Sequence, residues 1–273
     1  MKPIYFIFII VFAHNAANSQ NRKRNFRQTE IGLFFGGAYY IGDMNPNGHF
    51  KSSRPSVGFF MRYTTNYRYA FRAGMNFGSV MGDDSQSNNP DQIERNLNFK
   101  SQIFEFNTLA EFNFLEYRIS NNKYNITSFL FLGLNVFRFN PTTVYQGLTY
   151  ELRPLKTEGQ SKPYKLTQIG IPFGIGFKVN VSNNVGLGLE WGPRKTFTDY
   201  LDDVSGVYPN TNSNPFNTQI AQILSDRSKN AGSNINEQRG NPKSKDWYFF
   251  FGVTLNIKVN FKPEPCYEYG LRK

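Results

Sequence analysis

The chain has 273 residues, with 31 Lys and Arg against 20 Asp and Glu and a formal net charge of +11, so it has room for one large domain or two small ones. Its low mean hydropathy argues against membrane-spanning helices but not against a membrane barrel, whose lumen and loops are polar. A single cysteine excludes an internal disulfide, and an aromatic content of 17% fits the aromatic girdles of such a barrel.

The N-terminus has the three parts of a secretory signal peptide. Lys2 supplies the positive charge, residues 4–13 are apolar, and residues 17–19 form a small-x-small cleavage site. The apolar run is too short to span a bilayer as a helix. We therefore expect residues 1–19 to be removed rather than retained as an anchor, so that the mature chain begins near Gln20.

The segment that follows, residues 20–29, is basic and is expected to lie in the periplasm. Its positive residues are Arg22, Lys23, Arg24 and Arg27. An exported chain does not meet nucleic acid, so we expect no nucleic-acid partner. Outer-membrane lipid, including the anionic headgroups of lipopolysaccharide, or an acidic protein fits the charge better.

Segments in which every second residue is apolar recur along the chain, which is typical of strands with one apolar face. In chain order the predicted strands are 31–41, 57–63, 67–77, 104–114, 124–139, 168–181, 185–191 and 247–261. The fifth is apolar on both faces, so its register is not assigned. The last is long enough to cross a bilayer at a tilt. Together they predict an all-β fold, an eight-stranded antiparallel transmembrane β-barrel over residues 30–261.

The connections between these strands alternate between short and long, as in bacterial membrane barrels. The short ones are 64–66, 116–123 and 182–184, and the long ones are 43–53, 82–95, 140–163 and 193–246. We expect short periplasmic turns, long extracellular loops, both termini in the periplasm, and a periplasmic tail over 262–273. In the longest loop, Asn217 is expected to cap a helix with Ile220, Ile223 and Leu224 on one face, unless that loop is a flexible tip.

Charged residues on the inward faces of the strands predict the chemistry of the lumen. They are Arg62, Arg68, Arg72, Lys178 and Lys258 against Glu105, Glu111 and Glu190. Eight strands leave an interior only just wide enough for side chains, and isolated charges are costly there. We therefore expect a salt-bridged plug rather than a proton pathway or a catalytic pair of carboxylates.

Candidates for enzyme or metal chemistry are few. The mature chain has one histidine, His49, near Ser52 and Ser53, and some small barrels are lipid-modifying enzymes that use a His and a Ser at the rim. We favour a structural loop histidine and a protein that is not an enzyme. Carboxylates at 83–84 and 199–203 lack the twelve-residue calcium-loop pattern, and no motif for another metal or for a cofactor is present.

Residues just past the seventh predicted strand mix charged and apolar groups, which is typical of a protein contact. The candidate partner-binding residues are Arg194, Lys195, Asp199, Tyr200, Asp202, Asp203 and, in the tail, Cys266. As an alternative, Asp202 and Asp203 pair with Arg194 and Lys195 across the barrel mouth. Cys266 is either a spare thiol or an intermolecular link.

One long stretch resembles the PorG-like outer-membrane β-barrel family of the type IX secretion system: residues 168–208, QIGIPFGIGFKVNVSNNVGLGLEWGPRKTFTDYLDDVSGVY. Within it, RKTFTDYLDD at 194–203 is the most specific element. Further matches are YIGDMN at 40–45, RNLNF at 95–99, FNP at 139–141, TEG at 157–159, and residues 240–252.

The resemblance implies a non-enzymatic component of the secretion machinery, which anchors the periplasmic ring of the lipoprotein PorK and its partner PorN to the outer membrane. That machinery exports proteins and supports gliding motility in some bacteria. Two other interpretations are a stand-alone small barrel for adhesion or envelope stability, working through its external loops, and a lipid-modifying rim enzyme that depends on His49.

Overall fold

The computed structural model of the chain describes residues 27–120, 123–210, 215, 216 and 218–259. The predicted signal peptide, most of the basic segment, Asn217, and the predicted tail with Cys266 lie outside these residues.

Nine strands form within the described part of the chain. They are β1 (Gln28–Ile41), β2 (Arg54–Thr64), β3 (Tyr69–Asp83), β4 (Asn98–Asn113), β5 (Ile126–Tyr145), β6 (Leu148–Glu151), β7 (Thr167–Asn180), β8 (Val185–Thr196) and β9 (Trp247–Val259). Eight of them close into one antiparallel barrel, in the order β4-β3-β2-β1-β9-β8-β7-β5, with β4 pairing to β5. The short strand β6 extends β5 as a hairpin and pairs with no other strand of the described chain. The predicted eight-stranded antiparallel barrel is confirmed.

The two ends of the barrel differ in the length of their connections. At one end, the turn end, the connections are residues 65–68, 114–125 and 181–184, and β1 begins and β9 ends there. At the other end, the loop end, the connections are residues 42–53, 84–97, 146–166 and 197–246. The predicted alternation of short turns and long loops is present, except that the β4–β5 connection is as long as the shortest loop, 42–53.

Several strands extend farther toward the loop end than predicted. β4 begins at Asn98, β5 runs to Tyr145, and β8 runs to Thr196. Alternating apolar residues mark only the part of a strand that carries an apolar outer face, whereas the backbone hydrogen bonds of an antiparallel ladder do not depend on side chains. The barrel wall therefore continues beyond its apolar belt at the loop end.

The outer face of the barrel is an apolar belt. Its most exposed large side chains are Leu134, Ile169, Leu189, Leu132 and Phe71, each more than half exposed. A contiguous exposed apolar surface of this kind marks contact with lipid or with another protein, and a belt around a closed barrel is the surface of a barrel that spans a membrane. No helix of the described residues is long and apolar enough to cross a membrane.

The register of β5, which the sequence pattern did not assign, follows from its pairing with β4 and β7. Phe129, Phe131, Phe137 and Phe139 are buried inside the barrel, and the even-numbered residues that alternate with this face point outward. Interior aromatic rings on this strand explain why both of its faces look apolar in the sequence.

The interior of the barrel has two parts. Its half nearer the turn end is polar, and its half nearer the loop end is a hydrophobic cluster built from strand and loop residues together. The fully buried members include Ala38, Tyr40, Val80, Ile103, Phe139, Leu201, Val204 and Tyr248. Since Leu201 and Val204 come from the longest loop, that loop closes the mouth of the barrel.

Short helices occupy the loops. They are a 3-10 turn at Asp84–Gln86, α1 (Pro90–Arg95), α2 (Leu152–Leu155) and α3 (Gln219–Ser225). α3 is the helix predicted in the longest loop, and Thr218 caps it by accepting a hydrogen bond from the backbone N–H of Ala221. Leu224 is buried in the hydrophobic cluster and Ile220 packs against it, so this helix forms part of the closure.

Candidate functional site

An ion-paired network fills the half of the lumen nearer the turn end, and Arg62 lies at its centre. Arg62 Nη1 is 2.8 Å from Glu30 Oε2, and its Nε is 2.9 Å from Glu111 Oε2. All three side chains are essentially buried. A buried guanidinium group requires such pairing because its desolvation is costly.

Arg72 and Lys178 complete this network. Lys178 Nζ lies 2.6 Å from Glu111 Oε2, and Arg72 lies 3.3 Å from Glu111 and 2.5 Å from Glu190 Oε1. Glu111 therefore contacts three cations, and the three carboxylates of the network balance its three positive charges.

Aromatic rings support the cations from the side. The Phe60 ring lies 4.9 Å from Arg62 Cζ and 4.8 Å from Arg72 Cζ, close enough for cation–π attraction. The same ring covers Gly32, where a Cβ atom would lie 2.1 Å from Phe60 Cζ. Glycine at that position therefore makes room for the ring that lies beside both guanidinium groups.

A second polar cluster surrounds Glu105. Its carboxylate accepts hydrogen bonds from Tyr248 Oη at 2.7 Å and from the side-chain amide of Asn135 at 2.7 Å. Asn76 and Asn107 also donate to it, at 2.9 and 2.8 Å. Arg194 Nε is 3.3 Å away. Every contact restrains the carboxylate, which therefore serves as a structural anchor.

Two members of these clusters, Glu30 and Arg194, were not expected inside the barrel. Glu30 precedes the first predicted strand, and Arg194 follows the seventh. Both side chains point inward, as the alternation along their strands requires. Glu30 on β1 lies opposite the inward-facing Arg62 on β2, and Arg194 lies on the same face of β8 as Glu190. Extending each predicted strand by a few residues would have found them.

Two predicted lumen residues, Arg68 and Lys258, lie at the turn-end rim instead. Arg68 precedes β3, is exposed, and donates to the carbonyl oxygen of Phe114 at 2.9 Å. Lys258, near the end of β9, donates to Ser120 Oγ at 2.9 Å. The prediction is wrong for Arg68 because it lies outside the ladder. Lys258 is paired with Glu30 in the β1–β9 ladder and lies on the inward face of β9, but it is at the rim and contacts Ser120 rather than a lumen carboxylate.

Little space remains between the two polar clusters. The cavity between Arg72, Glu190, Arg194 and the rings of Phe60 and Phe131 measures about 20 Å³. That volume is enough for about one water molecule. The lumen is therefore filled by side chains from the turn-end network up to the hydrophobic cluster.

At the loop end, most of the predicted partner-binding residues turn inward. Asp202 accepts hydrogen bonds from Tyr40 Oη and from the N–H of Val204, and Asp203 accepts one from Tyr164 Oη at 2.7 Å. Asp199 accepts one from Ser205 Oγ at 2.6 Å.

These contacts correct the alternative pairing across the mouth. Asp202 and Asp203 do not pair with Arg194 and Lys195, because Arg194 points into the lumen toward Glu105. Arg194, Asp199, Asp202 and Asp203 are all buried and are not available to a partner at the surface. Contact with a partner stays a prediction for the exposed Lys195 and the half-buried Tyr200, and Cys266 lies outside the described residues.

The buried aspartates at the loop end hold their protons unusually tightly. Burial raises the pKa of Asp199 and of Asp203 to about 6. Burial, and then the charge of neighbouring carboxylates, raises the pKa of Asp202 and of Asp246 well above the ordinary value.

Two arginines tie the long loops together. Arg95 donates to both carboxylate oxygens of Asp84 at 2.8 Å and to the carbonyl oxygen of Arg239 at 2.6 Å. Arg239 in turn lies 3.0 Å from Glu158 Oε1 and donates to the carbonyl oxygen of Asp203. These arginines and the buried aspartates form what we call the loop-end cap, made of Tyr40, Asp43, Asp84, Arg95, Glu158, Asp199, Asp202, Asp203, Arg239 and Asp246.

The sequence pattern did not predict the loop-end cap as a unit. Most of its members nevertheless lie in segments that carry the family resemblance, because 40–45, 95–99, 157–159, 194–203 and 240–252 each contribute a residue to it. Asp84 and Arg239 lie outside the matched segments, and 139–141 contributes no member. The resemblance therefore includes one folded feature, in addition to the alternation that any small barrel has.

His49 lies outside the barrel wall, against an aromatic cluster. Its Nδ1 is 3.1 Å from Tyr39 Oη, which also accepts a hydrogen bond from Trp191 Nε1 at 2.9 Å. Ser52 and Ser53 bond elsewhere, to Gln86 and to the carbonyl oxygen of Phe50. The structure therefore does not bring the hydroxyl of Ser52 or Ser53 to this histidine.

The carboxylates at 83–84 have structural partners as well. Asp83 caps the 3-10 turn by accepting from the N–H of Ser85, and Asp84 pairs with Arg95. Among the described residues, no group of three or more His, Cys, Asp or Glu side chains is placed to hold a metal ion.

Several solved bacterial surface and outer-membrane proteins have a similar shape. Neisserial surface protein A is 9% identical, with 86% of this chain and 99% of that chain covered and a TM-score of 0.44. Ail, the attachment invasion locus protein of Yersinia pestis, is 8% identical, with 86% and 100% covered and a TM-score of 0.41. OprG from Pseudomonas aeruginosa is 9% identical, with 85% and 98% covered and a TM-score of 0.38. At these values no function is transferred from them.

Sequence comparison gives a clearer assignment. No curated protein matches the chain with statistical significance. One family matches residues 2–269, nearly the whole sequence, and the chain therefore belongs to the family described as domain of unknown function DUF6089.

Proposed function

We propose that this protein is a non-enzymatic component of the type IX protein secretion machinery, integral to the bacterial outer membrane, where it anchors the periplasmic ring of PorK and PorN. The observation that carries the proposal is the loop-end cap. Five of the segments that resemble the PorG-like family, 40–45, 95–99, 157–159, 194–203 and 240–252, meet in this one feature, although they are far apart in the sequence.

The filled lumen supports an anchoring role. A barrel whose interior is occupied by paired charges and aromatic rings has no room for a transported molecule, so it acts through its surfaces. We propose that the turn end faces the periplasm, as is usual for the short connections of such barrels. The ring would then contact the turns and the chain segments that leave the barrel beside them.

Capture of the tagged protein from detergent-solubilised outer membrane tests this proposal. PorK and PorN should be recovered with it, and a deletion strain should lose type IX export. Arg68→Glu and Lys258→Glu, at the turn end, should reduce recovery of the ring. Lys243→Glu, at an exposed position of the loop end outside the predicted contact residues, is the matched control and should leave recovery unchanged. Normal export in the deletion strain, together with capture that lacks both ring proteins, would reject the proposal.

A stand-alone barrel for adhesion or envelope stability is the second candidate. The observation that favours it is the ordered loop end, where ion pairs and a buried core fix the loops in one arrangement. A preformed surface of this kind binds a partner without the entropic cost of ordering loops. Gene neighbourhood distinguishes the anchoring role from the stand-alone role. Genes for PorK and PorN next to the gene for this protein favour the anchor, and their absence from its neighbourhood favours the stand-alone barrel.

The lipid-modifying rim enzyme is the third candidate, and the contacts of His49 do not favour it. We expect the His49→Ala strain to have the lipid composition of the wild type, as measured by mass spectrometry of extracted outer membranes. If the His49→Ala strain shows a change in the number of acyl chains per lipid, and a Ser52→Ala strain shows the same change, enzyme activity would be supported instead.

A further inference from the structure

A polar cleft of about 500 Å³ opens at the loop end, and the proposed anchoring role does not use it. One wall is the helix α1, and the opposite wall is the segment from Ser228 to Gln238. Tyr208, Arg239 and Gly240 are buried and also line it. Small-molecule sites have volumes of roughly 300–1,000 Å³, so the cleft is large enough to hold a ligand.

The walls of the cleft are held in place by hydrogen bonds. Asn89 caps α1 by accepting from the N–H of Asp91. On the other side, Asp226 accepts from the N–H of Ser228 at 3.1 Å, the N–H of Gly232 at 3.0 Å and the side-chain amide of Asn234 at 3.2 Å. A loop organised around one carboxylate in this way presents a fixed surface, which reduces the entropic cost of binding.

The cleft is negatively charged, in a protein whose formal net charge is +11. Four carboxylates line it, those of Asp43, Asp91, Glu94 and Glu237. The two guanidinium groups that also line it belong to Arg95 and Arg239, and each is already paired with a carboxylate outside the lining, Asp84 or Glu158. An anionic ligand would therefore meet no uncompensated positive charge.

One polar group of the cleft lacks a hydrogen-bond partner among the described residues: Glu94 Oε1 is buried and accepts no hydrogen bond. A buried acceptor without a donor is destabilising, and a ligand that donates to Glu94 removes that penalty. The Tyr208 side chain, only 6% exposed, also lines the cleft.

The spacing of the carboxylates favours an organic cation over a metal ion. Calcium takes six to eight oxygen ligands around one point. Within the described part of the chain, no three acidic, histidine or cysteine side chains converge in that way. An alkylammonium or guanidinium group has several N–H donors on an extended ligand, and such a ligand reaches carboxylates that lie apart.

We propose that this cleft binds the ammonium or guanidinium group of an organic cation, with Glu94 and Glu237 as charge partners and the Tyr208 hydroxyl as an additional hydrogen-bonding group. The ligand is either a free polyamine or a basic side chain of a peptide. The proposal does not depend on the secretion role, because it follows from the cleft alone.

Isothermal titration of the detergent-solubilised full-length protein with spermidine and with a trilysine peptide tests this binding. We expect saturable binding that weakens as salt rises, since the attraction is between charges. Glu94→Gln and Glu237→Gln should each weaken it about tenfold, the effect of losing one charge-assisted hydrogen bond. Glu151→Gln removes an exposed carboxylate of β6, outside the cleft lining, and is the matched control.

The two probes distinguish the source of the cation. Tighter binding of spermidine identifies a free polyamine, and tighter binding of trilysine identifies a basic peptide segment. Three results would overturn the proposal. They are equal affinity in Glu94→Gln and Glu151→Gln proteins that both keep the heat-modifiable mobility of a folded barrel, displacement of spermidine by equimolar calcium, and tighter binding of neutral maltose than of either cation.

Discussion

The hydroxyl of Tyr40, near the loop end of β1, donates a hydrogen bond to Asp202, which lies 162 positions later in the longest loop. The same hydroxyl is 3.2 Å from Asp246 Oδ1, just before β9. All three side chains are fully buried or nearly so. One phenol therefore joins the barrel wall to two carboxylates of the loop that closes its mouth.

Replacing Tyr40 with phenylalanine should loosen that loop while the barrel itself remains closed. The change leaves two buried carboxylates without this donor, at a cost of about 1–3 kcal/mol. Limited digestion with proteinase K in detergent should cut within 197–246 faster than in the wild type. Tyr63→Phe, on the exposed belt, is the control. Equal digestion rates for the two variants would show that Tyr40 does not hold the loop.

Glu111→Gln should destabilise the whole barrel, because Glu111 contacts Arg62, Arg72 and Lys178 in the lumen. Removing one partner of a buried ion pair costs about 3–5 kcal/mol, since it leaves a buried charge uncompensated. Urea unfolding in detergent micelles, followed by tryptophan fluorescence, measures the loss.

A second substitution checks the cause of that loss. Lys178→Met in the Glu111→Gln background removes one of the stranded charges and should restore part of the stability, so that the two effects are not additive. Strictly additive effects would place Glu111 and Lys178 in separate environments and contradict the network.

The loop-end cap should be more stable in mild acid than at neutral pH. Burial raises the pKa of Asp203 to about 6, from an ordinary value of 3.8. A carboxyl group with a raised pKa in the folded state contributes stability that is fully present below about pH 4 and is lost as pH rises through about 6. For Asp203 the loss is about 3 kcal/mol.

Hydrogen exchange of residues 197–210 at pH 4 and pH 8, with rates corrected for the intrinsic effect of pH, measures this dependence. Protection should fall at pH 8 in the wild type and fall less in Asp203→Asn, because the amide keeps an acceptor for Tyr164 without an ionisable group. Asp83→Asn is the control, since Asp83 caps the 3-10 turn outside the buried group. Greater protection at pH 8 than at pH 4 would reverse the predicted sign.

The purified barrel should not conduct ions. Side chains fill its lumen, and the cavity between the polar clusters holds about one water molecule. Planar-bilayer recording after reconstitution should therefore show no stable open level, with an open porin added to the same bilayer as the positive reference. A steady ohmic current from the wild-type protein would mean that the network opens in a membrane.

Alternating apolar residues were sufficient to predict the walls of this barrel, because a strand that faces lipid on one side must repeat every two residues. The same reasoning placed Arg62, Glu111, Lys178 and Glu190 inside, since each lies well within a strand. It misplaced Arg68, which lies just before β3 begins, where alternation no longer predicts whether a side chain points into the lumen.

The loop-end cap was beyond such reasoning for a different reason. The contact between Glu158 and Arg239 joins residues 81 positions apart, in two loops with no repeating pattern. The sequence pattern also gave the wrong prediction for Asp202 and Asp203, which are buried rather than exposed to a partner. A run of charged residues after a strand is usually exposed, but here donors such as Tyr40 and Tyr164 permit the carboxylates to be enclosed. Those donors come from distant parts of the chain.

The seam of the barrel runs between its first and last strands, with β1 paired to β9 from Thr29 and Val259 to Ile41 and Trp247. Until β9 has been made, β1 and β8 are both open edges, and open edges aggregate in water and are not tolerated in lipid. Contacts between the two ends of a chain also make folding slow. We therefore expect the chain to reach its membrane before the barrel has closed, with β9, the last strand to be synthesised, determining when closure can finish.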